Sequence, residues 1–188
     1  LAADTDRCKF IGYQSLYHKQ KFEEWGIDKP LVYIPTCCRT DLFKRESPFL
    51  TDRSGARGVN PRVPADKLGK IIAGGRLIPK KGLGRIVPHL DNLTVFGVGE
   101  MKDELMAMNR NTKFTGWLNG MGLRNLFEES WLYVFPAIIT PDGDSDGIPN
   151  TIKEAMLMQL QVLTSPVAGI PDLKNIHILD NWDRNSIL

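Results

Sequence analysis

Residues 142–156, DGDSDGIPNTIKEAM, hold the side-chain types that bind and polarise a charged ligand. Asp142, Asp144 and Asp146 place three carboxylates on one loop, Gly147, Pro149 and Asn150 follow, and Glu154 comes eight positions after Asp146. Proline suits the first turn of a helix, where its missing N–H would have had no intrahelical acceptor. The spacing predicts a helix over 149–160, with Ile152, Ala155, Met156 and Leu160 as its apolar stripe. Glu154 falls off that stripe, on the side of Asn150 and Thr151. Free N–H groups where the helix begins, at Gly147 to Asn150, form a pocket for an anion. N–H donors flanked by carboxylates suit a ligand that carries both phosphate and hydroxyls. A sugar nucleotide is such a ligand.

The same stretch has plainer readings. A carboxylate-rich loop before a helix can be a solvated cap and nothing more. DGDSDG also imitates the opening of an EF-hand calcium loop, which needs acidic residues at alternate positions, Gly at the sixth and Glu at the twelfth. Counted from Asp142, Gly147 is sixth, but the twelfth residue is Lys153, a cation, and Glu154 comes one position late. No metal is expected there.

A second stretch, GGRLIPKKG at 74–82, places Arg76 at a predicted strand end and Lys81 where the next helix begins. An arginine fork and a lysine point charge can converge on one diphosphate and offset charge that builds on it as a leaving group. Gly74 and Gly75 would let backbone approach such a ligand closely. An exposed basic turn without function is the competing reading. The stretch lacks the Gly-Lys-Ser/Thr ending of a P-loop, and VFGVGE at 95–100 is only part of a dinucleotide fingerprint.

Short apolar runs alternate with helical patterns along the chain. Strands are predicted at 8–13, 31–35, 70–77, 93–97, 112–118, 131–136, 161–166 and 176–179. Helices are predicted over 15–25, from PKKG to about Leu90, and over 100–108, 121–129 and 149–160. Strands that are apolar without alternation imply burial on both faces, hence an α/β fold: a Rossmann-like open parallel sheet with helices on both faces. Ligands of such sheets bind beyond the carboxyl ends of the strands. Gly74, Gly75, Arg76, Lys81, Gly97, Gly99, Gly116, residues 142–150, Ala168 and Gly169 all fall there. Residues 44–67 are predicted as an irregular loop, in a segment where Arg39–Lys70 holds eight Lys/Arg against four Asp/Glu.

Composition narrows the class. A 188-residue chain with 42% hydrophobic and 24% charged residues can build one globular domain with a sizeable core. Its net charge of +2 does not argue for nucleic acid, and no run is long and apolar enough to span a membrane. No signal-peptide pattern is present, and a first residue of Leu1 reads as a fragment. Cys8, Cys37 and Cys38 are odd in number, two of them adjacent, which is no disulfide framework and fits a reducing compartment. The scattered His18, His89 and His177 read as structural or exposed residues rather than metal ligands.

In order and spacing, GRLIPKKG, FGVGEMKDEL, KFTGWL, DSDGIPNTIKEAM and VLTSPVAGIPDL resemble the retaining glycosyltransferases of family 4, and specifically the C-terminal, donor-binding half of their GT-B architecture. The resemblance spans about residues 70–174; YIPTCCRTDLF fits more loosely. It implies that Arg76 and Lys81 bind the donor diphosphate and Glu154 holds the ribose hydroxyls. Asp146 would contact the transferred sugar. Gly75, Gly147, Ile148, Pro149 and Asn150 would surround sugar and phosphates, and Gly116, Trp117 and Leu118 would lie against the base. It further implies a hexosyltransferase without metal or cofactor, whose donor is a UDP- or GDP-linked sugar and whose acceptor is a hydroxyl of a glycan or lipid-linked molecule. The acceptor-binding N-terminal domain would lie outside this sequence, and the fragment alone would be inactive. The setting would be the cytoplasm, or the cytoplasmic face of a membrane.

Two departures stand out. Asp146 occupies a position where the family carries glutamate, and Thr36-Cys37 replaces a usual Asn-Gly turn. They motivate one alternative, a non-catalytic partner or regulatory domain of the same fold. A nucleotide-linked epimerase or dehydrogenase is the other.

Overall fold

The computed structural model describes residues 8–44 and 70–182. The predicted 44–67 loop therefore lies, beyond Lys44, outside the described residues. The described residues form two parallel sheets. The smaller pairs β1 (Ile11–Tyr13) with β2 (Leu31–Tyr33) through α1 (Leu16–Glu24). Ser15 caps α1 as an N-terminal hydroxyl should, accepting from the His18 N–H, and Gly26 follows the last turn with φ +68°.

The larger sheet holds β3 (Ile71–Gly74), β4 (Leu93–Phe96), β5 (Lys113–Gly116), β6 (Leu132–Phe135), β7 (Gln161–Thr164) and β8 (His177–Ile178). Its order is β5-β4-β3-β6-β7-β8, all parallel. The chain winds outward from β3 to β5, then crosses back and winds the other way from β6. Strand order thus reverses between β3 and β6, and that crevice is where open α/β sheets take their ligands.

Alternating side chains divide the core into two layers, as the period of a strand requires. On one face, Ile72, Tyr133, Phe135 and Val162 pack with Phe127 of α3 (Gly120–Glu128) and with Ile152, Ala155 and Met158 on and just after α4 (Asn150–Leu157). On the other, Ala73, Val95, Val134 and Leu93 pack with Leu105 of α2 (Lys102–Met108), Leu83, Ile86, Val87 and Trp182. The expected fold class, helices on both faces included, is the one observed.

Local details differ from expectation. Strands β1 and β2 do not join the main sheet. The predicted helix after PKKG is three successive 3₁₀ turns, Pro79–Lys81, Leu83–Arg85 and Val87–His89. Gly82, Gly84 and Pro88 fall too close together for an α-helix to run through them. Helix α4 starts one residue later than predicted, with Pro149 as its N-cap, and ends at Leu157; Met158, not Met156, is the fully buried methionine of its stripe. Among the described residues no helix is long and apolar enough to cross a membrane.

Candidate functional site

The carboxyl ends of β3 and β6 bring two lysines and two carboxylates together. After β3 the backbone turns through Gly74, Gly75 and Arg76 into the first 3₁₀ turn, which presents Lys80 and Lys81. After β6 it runs through Pro136 and Ala137 to the acidic loop. The Ile138 N–H donates to the Lys80 carbonyl at 3.0 Å, stitching the two segments together. Lys81 then spans the crevice, its Nζ 2.9 Å from Asp146 Oδ2 and 5.0 Å from the centre of the Phe135 ring. The pair is largely withdrawn from water, with side chains 11% and 15% exposed. The spacing makes an ion pair, but Asp146 Oδ2 lacks a donor in hydrogen-bonding geometry and stays a buried, unsatisfied acceptor. A carboxylate oxygen in that state retains capacity for a ligand hydroxyl. Alongside, Lys80 Nζ lies 3.0 Å from Asp144, so two consecutive lysines hold two acids of the loop.

Beneath them is an aromatic floor. Tyr133 and Phe135 of β6 stand 6.2 Å apart between ring centres, and Phe96 and Phe127 join Tyr133 at 6.2 and 5.8 Å. The buried Tyr133 hydroxyl donates to Thr151 Oγ1 at 2.8 Å, anchoring the first turn of α4 to the sheet. Burial first, and then the nearby Glu154 and Asp146 carboxylates, push the phenol well above the ordinary tyrosine range, so it acts as a neutral donor. Glu154, half-buried on α4, has its carboxyl pushed up by desolvation, partly offset by Lys153. Lys153 Nζ donates to the Thr36 carbonyl at 3.2 Å and to Thr36 Oγ1, and its pKa is lowered, chiefly by burial. The Thr36-Cys37 turn, one of the departures from the family pattern, is thus docked on Lys153, the neighbour of Glu154 in sequence.

The remaining predicted site residues fall along the same edge. Gly75 lies against Lys81: a Cβ there would sit 3.6 Å from Lys81 Cε. Arg76 is exposed; its carbonyl accepts from the Ile78 N–H at 3.0 Å, and among the described residues its side chain engages no hydrogen bond or ion pair. Gly116 closes β5, its carbonyl accepting from Gly97 at 2.7 Å. Trp117 is 71% exposed, and Leu118 packs against the core. Gly147, Ile148 and Pro149 are partly buried and Asn150 exposed at the start of α4. Among the described residues no backbone carbonyl accepts from the N–H of Gly147, Ile148 or Asn150. The structure therefore brings Gly75, Lys81, Asp146 and the start of α4 into direct neighbourhood, with Glu154 one turn on. Among the described residues no side-chain hydrogen bond or ion pair ties Arg76, Trp117 or Leu118 to Lys81, Asp146 or Glu154.

Sequence reasoning passed over Lys80, Tyr133, Thr151 and His18. Lys80 was legible as the neighbour of Lys81. Tyr133 read as one more apolar strand residue, and nothing local marks His18. Among the described residues no three His, Cys, Asp or Glu side chains are gathered as a metal site would require.

Residues 71–183 match the family described as Glycosyl transferases group 1. Among curated proteins, the chain is 28% identical over 128 residues to the amylovoran biosynthesis glycosyltransferase AmsK of Erwinia amylovora, covering 60% of this chain and 31% of that protein. It thus spans about a third of the length of the curated relatives it matches. Among solved structures, HepE of Anabaena in complex with UDP-glucose superposes with a TM-score of 0.70 at 16% identity, covering 97% of this chain and 53% of HepE. TarM of S. aureus, in a complex containing UDP, gives 0.71 at 16% identity, with 98% and 36% covered. These superpositions agree with the Rossmann-like half of a GT-B fold, and the family match sets aside the epimerase or dehydrogenase alternative. With the matched segment covering the whole of the large sheet, the chain belongs to the glycosyl transferases group 1.

Proposed function

We propose that this chain is the donor-binding domain of a retaining, family 4 hexosyltransferase, which passes a sugar from a nucleotide diphosphate to a hydroxyl of a glycan or lipid-linked acceptor. The observation that carries the reading is the Lys81–Asp146 pair, set over Phe135 in the crevice where strand order reverses. Lys81 is ion-paired with Asp146 and offers its protons to the β-phosphate. The unpartnered Arg76 supplies its fork to the same diphosphate. Asp146 Oδ2 accepts from a hydroxyl of the transferred sugar, with the N–H groups of Gly147, Ile148 and Asn150 beside it. Glu154 accepts from the ribose, and Gly116, Trp117 and Leu118 flank the base. The two cations offset charge on the departing nucleotide without a metal, so a chelator leaves donor binding unchanged. HepE and TarM, complexed with UDP-glucose and UDP, make uridine the first base to try, with guanosine second. The acceptor-binding domain belongs to the rest of a longer protein, working in the cytoplasm or at a membrane's cytoplasmic face. Without it this chain binds donor and transfers little or nothing.

Calorimetry against UDP, GDP, ADP and their sugars tests this. One base binds saturably, and Arg76→Ala weakens it at least about tenfold, the worth of a charge-assisted hydrogen bond. A folded chain that binds none of these ligands overturns the reading.

Glu154→Gln separates binding from stability. Burial raises the Glu154 carboxyl above its ordinary value of 4.5, so the folded state binds the proton more tightly than the unfolded one. Ionised Glu154 therefore costs stability at neutral pH, and stability returns as pH falls through the raised folded value towards 4.5. The amide variant removes the cost, with a rise in Tm of about 2 °C after allowance for solvent screening, while nucleotide affinity falls. A variant that loses both stability and affinity would make Glu154 a structural residue.

A further inference from the structure

Helix α1 belongs to the small sheet, yet its first turn lies on the donor edge of the large one. The Leu16 N–H donates to Asp172 Oδ2 at 2.7 Å, beyond β7. A Cβ at Gly169 would stand 2.5 Å from Ser15 Cβ and 3.0 Å from Ile148 Cγ1. A Cβ at Gly147 would stand 2.6 Å from His18 Cε1 and 3.0 Å from His18 Nε2. The two loops carry glycine where the turn presses on them, so the approach needs both side chains absent.

The His18 ring is held in place. Ser15, 2% exposed, accepts from the His18 N–H at 3.3 Å, and its Oγ lies 2.8 Å from His18 Nδ1. One ring nitrogen is thereby occupied and the ring plane set. The other, Nε2, has no partner among the described residues and faces the backbone of Gly147, next in sequence to Asp146, whose Oδ2 is ion-paired with Lys81 but accepts no hydrogen bond. A half-buried imidazole with one nitrogen tethered and the other left open is arranged to hydrogen-bond a ligand rather than to fill space.

We propose that His18 is a further donor-contacting residue, whose Nε2 hydrogen-bonds the sugar end of the nucleotide sugar beside Asp146. The proposal rests on the donor-site reading above. It places His18 on the hexosyl side because Gly147 adjoins Asp146, whereas the ribose residue Glu154 lies further along α4. His18 then discriminates a nucleotide sugar from the bare nucleotide, which Arg76, Lys81 and Glu154 do not.

The test uses the whole chain and two ligand pairs, UDP-glucose with UDP and GDP-mannose with GDP, in calorimetry or ligand-observed NMR. His18→Phe keeps a ring over Gly147 but removes the nitrogen; His18→Gln keeps a polar group near the position of Nε2. The expected result is about a tenfold loss of nucleotide-sugar affinity in His18→Phe with the nucleotide alone unaffected, largely restored in His18→Gln. Equal weakening of sugar and bare nucleotide would make His18 a packing residue and overturn the proposal, as would no change in either. If the unaltered chain binds neither pair, nor ADP and its sugar, the donor-site reading itself has failed and this inference with it. That outcome is told apart by appearing before any substitution.

Discussion

Lys81→Met should destabilise the chain by about 3 kcal/mol and abolish measurable donor binding. The lysine is long enough to reach across the crevice and is nearly buried, so its removal strands the Asp146 carboxylate in a site where no donor replaces it. Breaking one partner of a buried ion pair costs about 3–5 kcal/mol, mostly as the penalty of the charge left behind. Asp146→Asn alone should also destabilise, because it leaves the ammonium over Phe135 without its counter-charge. The double variant Lys81→Met with Asp146→Asn should recover much of the loss, since two neutral side chains of similar volume need no compensation. Urea midpoints for the four proteins close the cycle. Strictly additive losses would show that the pair is not coupled, and the crevice would lose its central electrostatic feature. Donor binding should be absent from both Lys81 variants whatever their stability, since the diphosphate loses its buried cation.

Gly97→Ala should cost at least about 4 kcal/mol or prevent folding, beyond the usual range for a single methyl group. Gly97 follows β4 with φ +110°, its N–H donating to the Gly116 carbonyl, and an added Cβ would fall 1.7 Å from the Gly75 carbonyl oxygen. The obstacle is backbone of the adjacent strand end, which also forms the turn into Arg76, so relief would require displacing the diphosphate turn. Gly116→Ala is the control. It too has a positive φ, +74°, but nothing lies within 4 Å of its Cβ, so it should cost only about 1–2 kcal/mol from conformational strain. Thermal denaturation of the two variants separates steric from torsional cost. A similar loss in both would mean that strand ends β3, β4 and β5 are less tightly stacked than their hydrogen bonds imply.

These contrasts show what the sequence determined by itself. Strands of the large sheet were legible because KIIAGG, LTVF, WLYVF and QVLT are continuous apolar runs, and burial on both faces follows from composition alone. Parallel pairing follows from the intervening helices, and a parallel sheet gathers its loop chemistry at one edge. Arg76, Lys81, Asp146 and Glu154 could therefore be assigned to a common edge, and the order of their motifs carried the resemblance to a glycosyltransferase. Helix α1 was legible over 15–25, and it forms over Leu16–Glu24 with Ser15 as its N-cap, because helix formation and capping are local interactions.

Only the tertiary structure decided which of these residues meet. The helix expected after PKKG became 3₁₀ turns that aim Lys80 at Asp144 and Lys81 at Asp146. Lys80 and Asp144 are 64 residues apart, and the contact that seats α1, from Leu16 to Asp172, spans 156. The separation of β1 and β2 from the main sheet and the placing of His18 on Gly147 depend on such contacts too. Local periodicity reports which face of an element is apolar, but not which distant element covers it. Long-range pairing is settled by packing shape and by the balance of desolvation against charge, and those appear only once the chain is folded.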